Sequence, residues 1–306
     1  MIGIIILNYN NWNETQACIE SVLQNQPQQK YRIFCVDNGS TIKPDNHTSE
    51  LLRHPDITTF YNPTNIGYAA GNNIGIKAAK EAGCDAILIS NNDIRFFDGT
   101  ITGMYEYLKS HPSVGIVGPR IVDRDGNTQK ANMCLKTGMK ENLLLRTRFH
   151  VFFPGYNRRY WGLNYDYDRE TFPVHAVSGC CFMMSGACAE DVTPLDEGTF
   201  LYEEEFILGI HMEQTGWKTM YVPQFSVQHL HGASTKHVKV FAYTCNVNSE
   251  IYYCRKYLKA SGISLWALYF YRIIIYLLHC LHVVEYRAGL KKFIKETWLY
   301  MMDRKL

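Results

Sequence analysis

The stretch Ala86-Ile87-Leu88-Ile89-Ser90-Asn91-Asn92-Asp93 decides the fold. Its first five residues form a short apolar run, which is typical of a strand buried inside a parallel sheet. Three polar residues follow at once and end in a carboxylate. In open α/β sheets, ligands bind at the carboxyl ends of such strands, where a carboxylate can hold a divalent cation. Asn and Asp also end strands simply by forming turns, so this stretch alone favours a turn.

Two further strand ends of the same kind favour a ligand site instead. The apolar run at 33–36 is followed by Asp37-Asn38-Gly39-Ser40, and the run at 2–7 is followed by Asn8-Tyr9-Asn10. Helix-like segments at 15–24 and 72–81 separate the apolar runs. Strands that alternate with helices predict right-handed βαβ units. The sequence therefore predicts an α/β fold with a mainly parallel, Rossmann-like sheet and flanking helices.

The middle of the chain is less regular. An apolar strand is predicted at 115–118, and the aromatic and basic segment 124–172 is predicted to be an irregular insertion beside the active site. A strand pattern returns at 174–184. A helix is predicted to follow the acidic run at 202–205 and to end at Gly216, before a strand at 219–223.

The carboxyl-terminal part differs in charge and hydropathy. Residues 251–306 hold ten Lys or Arg against three Asp or Glu, which gives +7 there and −5 elsewhere. Residues 263–284 are long and apolar enough to span a bilayer, but a central Arg272 costs about 3 kcal/mol on insertion scales. We therefore expect a helix that lies in or on the membrane interface. The predicted units are a catalytic domain at 1–240 and a helical basic and apolar appendage at 241–306.

Partners and compartment follow from motifs that the sequence lacks. It has no recognisable nucleic-acid motif, so we expect the basic appendage to contact anionic lipid and not nucleic acid. The ten cysteines include no CxxC pair, and no basic region or cleavage site precedes the first strand. We therefore predict reduced thiols in a cytoplasmic protein that associates peripherally with the inner face of the cell membrane.

Four polar motifs occur in a fixed order: Asn8-Tyr9-Asn10, Asp37-Asn38-Gly39-Ser40, the glycine-rich segment 65–75, and Asn91-Asn92-Asp93. With the acidic run at 200–205 and the histidines at 229–232, the chain resembles the family 2 glycosyltransferases of the GT-A fold over residues 1–235. It is most similar in pattern to bacterial rhamnosyl- and galactofuranosyl-transferases of surface polysaccharide synthesis. The resemblance implies an inverting, metal-dependent transfer of a hexosyl or deoxyhexosyl group. The donor would be a nucleotide-diphosphate sugar, and the acceptor a hydroxyl of a glycan or lipid-linked molecule.

The donor is expected at the strand ends and at the glycine-rich segment. Asp37 can accept hydrogen bonds from a nucleobase or ribose, and Tyr9 either stacks on the base or packs internally. Glycines permit close backbone approach to the diphosphate, although the same segment can be merely a turn that enters a helix. UDP- and dTDP-sugars are the expected donors. The residues predicted to contact the donor are Asn8, Tyr9, Asp37, Asn65, Gly67, Gly71, Asn73, Asn91 and Asn92.

The resemblance also predicts a metal site. The family motif is Asp-X-Asp, but its first position here is Asn91, which leaves Asp93 as the main ligand of Mn²⁺ or Mg²⁺ and Asn91 as a neutral contact. Either ion needs few protein ligands when substrate phosphates and water complete the octahedron. His229 or His231 is predicted to supply a further ligand, and an imidazole favours Mn²⁺.

An inverting transfer needs a base that takes the proton of the acceptor hydroxyl. The family places a Glu-Asp pair before a helix, which matches Glu204-Glu205 here, and Glu205 at the second position is the first candidate. Carboxylates also stabilise helix amino termini without any catalytic role. The alternative function is a nucleotide-sugar-binding protein without turnover, because Asn91 replaces a carboxylate. A dinucleotide-dependent oxidoreductase is disfavoured, since no GxGxxG follows the first strand.

Overall fold

The structure is a computed structural model that describes residues 1–25, 27–230 and 239–303. Its nine strands are β1 (Ile2–Asn8), β2 (Tyr31–Asp37), β3 (Ile57–Tyr61), β4 (Ala86–Asn91), β5 (Ile94–Phe96), β6 (Val114–Val122), β7 (Phe172–Val174), β8 (Cys181–Ser185) and β9 (Lys218–His229). Its helices are α1 (Trp12–Asn25), α2 (Asn46–Leu51), α3 (Tyr68–Glu81), α4 (Thr100–Ser110), α5 (Met139–Leu144), α6 (Pro154–Tyr160), α7 (Gly186–Val192), α8 (Glu204–Thr215), α9 (Lys239–Lys256), α10 (Gly262–His282) and α11 (Val284–Met301), with a 3₁₀ helix at Arg148–Phe152.

The described strands form one sheet in the order β3-β2-β1-β4-β8-β6-β9-β5, with β7 paired to β9. Neighbouring strands from β3 to β4 are all parallel, which confirms the predicted βαβ arrangement for the amino-terminal half. The other half is mixed, because β8 runs antiparallel to β4 and β6 while β6 and β9 are parallel. The parallel half of the sheet therefore contains β1, β2 and β4, whose carboxyl ends carry the predicted polar motifs.

Helices cover both faces of the sheet. α1 and α4 share a buried apolar core with one face, and α3, α7 and α8 share a second core with the other face. Gly71 and Gly75 let α3 approach β1 closely, since an added Cβ would lie 2.6 Å from Leu7 or Ile5. This packing fixes α3 beside the carboxyl end of β1. All ten cysteines are free thiols, in accord with the expected reduced state.

The segment 124–172 is more ordered than predicted. It contains α5, the 3₁₀ helix and α6, and its Leu145 and Tyr160 are buried in a third apolar core with Phe206 of α8. Helices of five to seven residues have too few turns to produce a readable period of 3.6. The strand predicted at 174–184 is in fact two strands, β7 and β8, separated by residues 175–180.

The carboxyl-terminal helices α9, α10 and α11 complete the third core. Arg272 of α10 points inward, where its guanidinium donates to both oxygens of buried Glu250 of α9. Within the described residues α10 is the one helix long and apolar enough to cross a membrane, and 33% of its most apolar window is buried. The boundary predicted at residue 240 stays a prediction, since these helices pack directly on α8 and the insertion.

Candidate active site

The carboxyl ends of β1, β2 and β4 meet at one edge of the sheet. Asn8 lies in register with Asp37 on β2, and Leu7 lies in register with Asn91 on β4. The polar motifs that follow these strands are therefore neighbours in space, as the βαβ pattern predicted. Any ligand at this edge meets all three motifs at once.

Asn8 is the centre of a hydrogen-bond network at this edge. Its Nδ2 donates to Asp37 Oδ1 at 3.0 Å and to Ser40 Oγ at 3.1 Å. Its Oδ1 accepts from the Thr15 hydroxyl at 2.8 Å and from the Asn92 amide at 3.3 Å. Both asparagines are buried. Asn8 and Asn92 were predicted to touch the nucleotide, but their amides are occupied inside the protein, where they hold the strand ends together.

Asp37 stands beside exposed aromatic and apolar side chains. Tyr9 is 43% exposed and follows Asn8 directly, while Tyr61 is 64% exposed and lies in register with Asp37. Ile42 is 58% exposed, and the Asn10 side chain accepts from its backbone N–H at 3.0 Å, which ties the two loops. A buried carboxylate at a sheet edge that also carries two exposed tyrosines suits a planar heterocycle with hydrogen-bond donors.

Asn65 shapes the entrance to α3. Its Oδ1 accepts from Asn38 Nδ2 and from the backbone N–H of Gly67, both at 3.0 Å. Gly67 has a φ of 93°, and an added Cβ would lie 2.7 Å from the Phe200 carbonyl oxygen. A side chain at position 67 is therefore excluded by backbone conformation and by space. The glycine brings the start of α3 against the loop that precedes the acidic run.

Two other residues of the glycine-rich segment face the protein. Gly71 meets Leu7 of β1, so its small size serves helix packing. Asn73 donates from Nδ2 to the Leu195 carbonyl oxygen and to Glu197, and its Oδ1 accepts from the Leu195 N–H. In the structure both Gly71 and Asn73 hold α3 in place. Their contact with a diphosphate stays a prediction.

Asp93 and His229 lie side by side. Their approach follows from the antiparallel pairing of Ile94 with His229, and the Leu230 N–H donates to the Asp93 carbonyl at 3.0 Å. His229 Nε2 is 3.2 Å from Asp93 Oδ1, and each side chain is 11% exposed. Carboxylate and imidazole ligands converging at a nearly buried point suit a divalent cation. His231 lies outside the described residues.

Cys180 joins this pair. Burial would lower the pKa of His229, but hydrogen bonds with Asp93 and with Cys180 raise it to about 10. The Asn91 N–H donates to the Cys180 carbonyl at 2.8 Å, so the strand end that carries the polar motif is tied to the same residue. Throughout the described ranges no three His, Cys, Asp or Glu side chains are grouped to hold an ion. Asp93 and His229, once the imidazole has lost its proton, therefore fit a cation that takes its other ligands from a substrate.

The acidic run has an unusual backbone. Tyr202 and Glu203 both adopt left-handed conformations, with φ of 75° and 73°, just before α8 begins at Glu204. Such conformations cost of order 1–3 kcal/mol each for residues other than glycine and persist only where the surroundings impose them. Arg146 supplies one such constraint, since its guanidinium donates to both oxygens of fully buried Glu203.

A chain of buried charges extends from this pair. Arg146 also lies 3.9 Å from Glu250, which in turn accepts two hydrogen bonds from Arg272. Burial alone would lower the pKa of Arg146, but Glu203 and Glu250 raise it, so the guanidinium stays charged. The two positive charges of the arginines offset the two negative charges of the glutamates. These four side chains connect the acidic run to the insertion and to α9 and α10.

Glu204 and Glu205 differ in their surroundings. Glu204 is buried and accepts a hydrogen bond from the Thr199 hydroxyl at 3.1 Å, while Glu205 is half-buried. Burial and the neighbouring Glu205 raise the pKa of Glu204 to about 8. Burial also raises the pKa of Glu205. A carboxylate whose pKa is raised is a better proton acceptor, and Glu205 is the more accessible of the two.

Gly179 and Cys180 link the two halves of the site. Glu205 Oε2 would lie 3.8 Å from a Cβ added at Gly179, and the Tyr68 hydroxyl donates to the Gly179 carbonyl. The next residue, Cys180, bonds to His229. The carboxylate and the Asp93–His229 pair therefore lie next to adjacent residues of the chain.

Comparison with known proteins identifies the chain. Residues 3–186, more than half of its length, match the sequence profile of glycosyl transferase family 2. The chain belongs to this family.

Similar proteins include an N-acetylglucosaminyl-diphospho-decaprenol L-rhamnosyltransferase of Mycobacterium tuberculosis, which is 27% identical over 215 residues. That alignment covers 66% of this glycosyltransferase and 67% of the relative. The low-salt glycan biosynthesis hexosyltransferase Agl10 of Haloferax volcanii is 28% identical, over 67% of this chain and 59% of its own length. A crystal structure of GalNAc-T7 with UDP, GalNAc and Mn²⁺ matches with a TM-score of 0.57 at 15% identity, over 97% of this chain and 55% of the other. That similarity establishes the GT-A-like fold.

The sequence analysis did not predict two residues near the candidate site of this glycosyltransferase. Tyr61 escaped notice because β3 was not predicted, although its β-branched and aromatic residues, Ile-Thr-Thr-Phe-Tyr, are a strand signal. Arg146 lies within the segment that was predicted to be irregular, 57 residues before its partner Glu203. Sequence spacing carries no signal for a pair so far apart.

Proposed function

We propose that this glycosyltransferase moves a sugar, with inversion at the anomeric carbon, from a nucleotide-diphosphate sugar to a hydroxyl of a lipid-linked or glycan acceptor. The observation that carries the proposal is the convergence of two groups on the dipeptide Gly179-Cys180: Glu205 lies next to Gly179, and the Asp93–His229 pair lies next to Cys180. Leaving-group stabilisation and proton removal are thus available within one short span of chain.

The nucleotide would lie over the ends of β1 and β2. Asp37 would accept hydrogen bonds from the base imide or the ribose, with Tyr9 and Tyr61 against the ring. Asn65 and the backbone at Gly67 lie at the entrance to α3, toward the predicted position of the diphosphate. A uracil or thymine base fits a carboxylate acceptor, so UDP- and dTDP-sugars are the donors we propose.

Asp93 and His229 would hold Mn²⁺ or Mg²⁺ together with the donor phosphates. Such an ion, when bound, neutralises the charge that develops on the diphosphate. Asn91, as a neutral neighbour at the end of β4, leaves this chain with one carboxylate in the motif. An imidazole in the ligand set favours Mn²⁺.

Glu205 would act as the base. The acceptor hydroxyl oxygen attacks the anomeric carbon, and the bond between that carbon and the diphosphate oxygen breaks with its electron pair leaving on the diphosphate. The hydroxyl proton passes to the Glu205 carboxylate. Attack from the face opposite the leaving group inverts the anomeric configuration. Arg146 keeps Glu203 in its left-handed conformation and so positions the carboxylate two residues later.

The acceptor proposal draws on the mycobacterial relative, whose name specifies a diphospho-decaprenol acceptor. A polyprenyl diphosphate resides in a membrane, so we propose peripheral contact with the cytoplasmic face of the cell membrane and a role in bacterial surface polysaccharide synthesis. The basic and apolar α10 and α11 supply suitable chemistry for that contact.

A binding protein without turnover is the second candidate, and Asn91 favours it. Donor turnover by the purified chain separates the two functions when it is measured with UDP- and dTDP-sugars, with Mn²⁺ or with a chelator. Under the proposed function, turnover requires the cation and Asp93→Asn abolishes it, while the exposed neighbour Asp98→Asn leaves it unchanged. Donor binding without turnover under every condition would instead establish the second function.

A further inference from the structure

We infer that the exposed face of α10 and the aromatic turn, defined as residues 149–153, form one docking surface for a bilayer that contains anionic lipid. This inference rests on the membrane contact proposed above and specifies its surface. It adds an element outside the carboxyl-terminal helices, one that is connected to the acidic run of the active site through Arg146.

The outward face of α10 carries a continuous apolar stripe. Its members recur every three or four residues and therefore share one side of the helix. They are Ile263, Ala267, Phe270, Ile274, Leu277, Leu278 and Leu281, and all are exposed. Ile263 and Leu281 are 85% and 68% exposed. With a rise of about 1.5 Å per residue, the stripe is about 27 Å long.

The inner face of α10 determines how the helix meets a membrane. Leu268 and Tyr276 are fully buried against the protein, and Arg272 is held there by Glu250. A helix tied to α9 and α11 in this way cannot cross a bilayer alone. The stripe is therefore placed to lie along the membrane surface. The charge of Arg272, which argued against insertion at the sequence level, faces away from the lipid.

The aromatic turn extends the stripe. Phe149 and Phe152 are 50% and 73% exposed, and Val151 is 61% exposed. Tyr271 of α10 ties the turn down, since its hydroxyl accepts from the Arg148 N–H at 2.8 Å and its ring lies 6.1 Å from that of Phe149. Exposed apolar side chains on two separate elements thus adjoin, which a soluble surface rarely tolerates without a partner.

Charge selects an anionic bilayer as the partner. Trp298 of α11 contacts Trp266 of α10, which stacks on Phe270 of the stripe. Ile294, Lys291 and Arg287 follow Trp298 at helical spacing and are exposed on that side of α11. Exposed Arg148, Arg158 and Arg159 flank the aromatic turn. Aromatic and apolar side chains bordered by cations match the interface of an anionic membrane.

The surface lies close to the chemistry. Arg148 is two residues from Arg146, whose guanidinium holds Glu203 beside the proposed base. A bilayer under the aromatic turn would bring a lipid-linked acceptor to the acidic run without extracting its tail. The contacts of Tyr271 with Arg148 and Phe149 hold the aromatic turn in place against α10.

Vesicle flotation of the full chain tests the inference, with no donor or acceptor present. The chain should float with phosphatidylcholine vesicles that contain one third phosphatidylglycerol, and high salt should weaken this binding. Phe149→Ser with Phe152→Ser, and separately Ile274→Ser with Leu281→Ser, should each lower the bound fraction at least tenfold. Phe97→Ser removes a phenyl ring elsewhere whose exposure (44%) is close to that of Phe149 (50%), and it should leave binding unchanged.

Three results would overturn the inference. The wild-type chain would stay unbound with anionic vesicles, or the double variant in the aromatic turn would float like the wild type. In the third result, light scattering would show that the wild type is a dimer and that the stripe variants are monomers, while the wild type does not bind vesicles. That result would assign the surface to a second copy of the chain. Circular dichroism of each variant checks that the fold is intact. Donor turnover is measured without vesicles, so its result tests the proposed function independently of the membrane surface.

Discussion

The two halves of the active site are built from different interactions. The donor half, at the ends of β1, β2 and β4, is held by amides, hydroxyls and the Asp37 carboxylate around Asn8, all within the first 93 residues. The acceptor half, around Glu203–Glu205, is held by buried ion pairs between segments as far apart as Arg146 and Arg272. The donor network lies within the parallel half of the sheet, whereas the acceptor half depends on the carboxyl-terminal core.

The largest effect is expected in the acceptor half. Glu205→Gln keeps the shape of the side chain but removes its ability to accept a proton, so transfer should fall by roughly 10²–10⁴-fold while donor affinity is preserved. Steady-state transfer to a polyprenyl-linked acceptor measures this, with donor affinity from titration. Glu204→Gln is the matched control and should be milder. Near-normal transfer by both variants would reduce the acidic run to a helix-terminus charge.

The next largest effect concerns the ion pairs that hold this half. Arg146→Leu leaves Glu203 buried without its partner, and the free energy of unfolding should fall by about 3–5 kcal/mol. Urea unfolding measures the loss. Lys136→Leu breaks an exposed pair with Glu213 and should cost at most about 1 kcal/mol.

A double variant sharpens this result. Arg146→Leu with Glu203→Leu removes both charges and leaves Glu250 paired with Arg272, so it should recover part of the stability lost in Arg146→Leu. Equal unfolding free energies for Arg146→Leu and wild type would contradict the claim that ion pairs maintain the acceptor half.

A smaller effect is expected in the donor half. Asp37→Ala should weaken donor binding by about 1.5–3 kcal/mol, the usual value of a hydrogen bond to a charged group, with little change in the rate at saturating donor. Isothermal titration with UDP and dTDP measures the affinity. Asp45→Ala, a helix-capping change away from the sheet edge, is the control. A large loss of rate with normal affinity would reject Asp37 as a donor contact.

The smallest expected effect is on the pH dependence of stability, and it comes from Glu204 in the acceptor half. The pKa of Glu204 is raised from 4.5 to about 8, so the folded state holds a proton that the unfolded state releases. Its contribution to stability is fully present below pH 4.5 and is lost as the pH rises through 8. Glu204→Gln mimics the protonated group, so urea unfolding should find the variant gaining on wild type between pH 6 and pH 8.5. A constant difference would contradict the raised pKa.

Sequence reasoning could locate the donor half because its signals are local. The strand ends that carry Asn8, Asp37 and Asn91 follow apolar runs, and parallel pairing necessarily brings such ends to one edge. The same reasoning could not assign the hydrogen-bond partners that side chains of the motifs have within the protein, and their contact with the donor stays a prediction. Asn92, just after β4, donates to the Asn11 carbonyl, and Asn73, within α3, donates to the Leu195 carbonyl, so both side chains connect neighbouring segments.

The sequence by itself determined the α/β class, the order of the motifs, the position of Asp93 and the acidic run before α8. Each depends on hydrophobic periodicity or on residues adjacent in the chain. Only the tertiary structure decided that Arg146 holds Glu203, that Arg272 turns inward to Glu250, and that the aromatic turn joins the α10 stripe. These contacts join residues 22 to 123 positions apart, and their partners are chosen by packing in the third core, which no local pattern encodes.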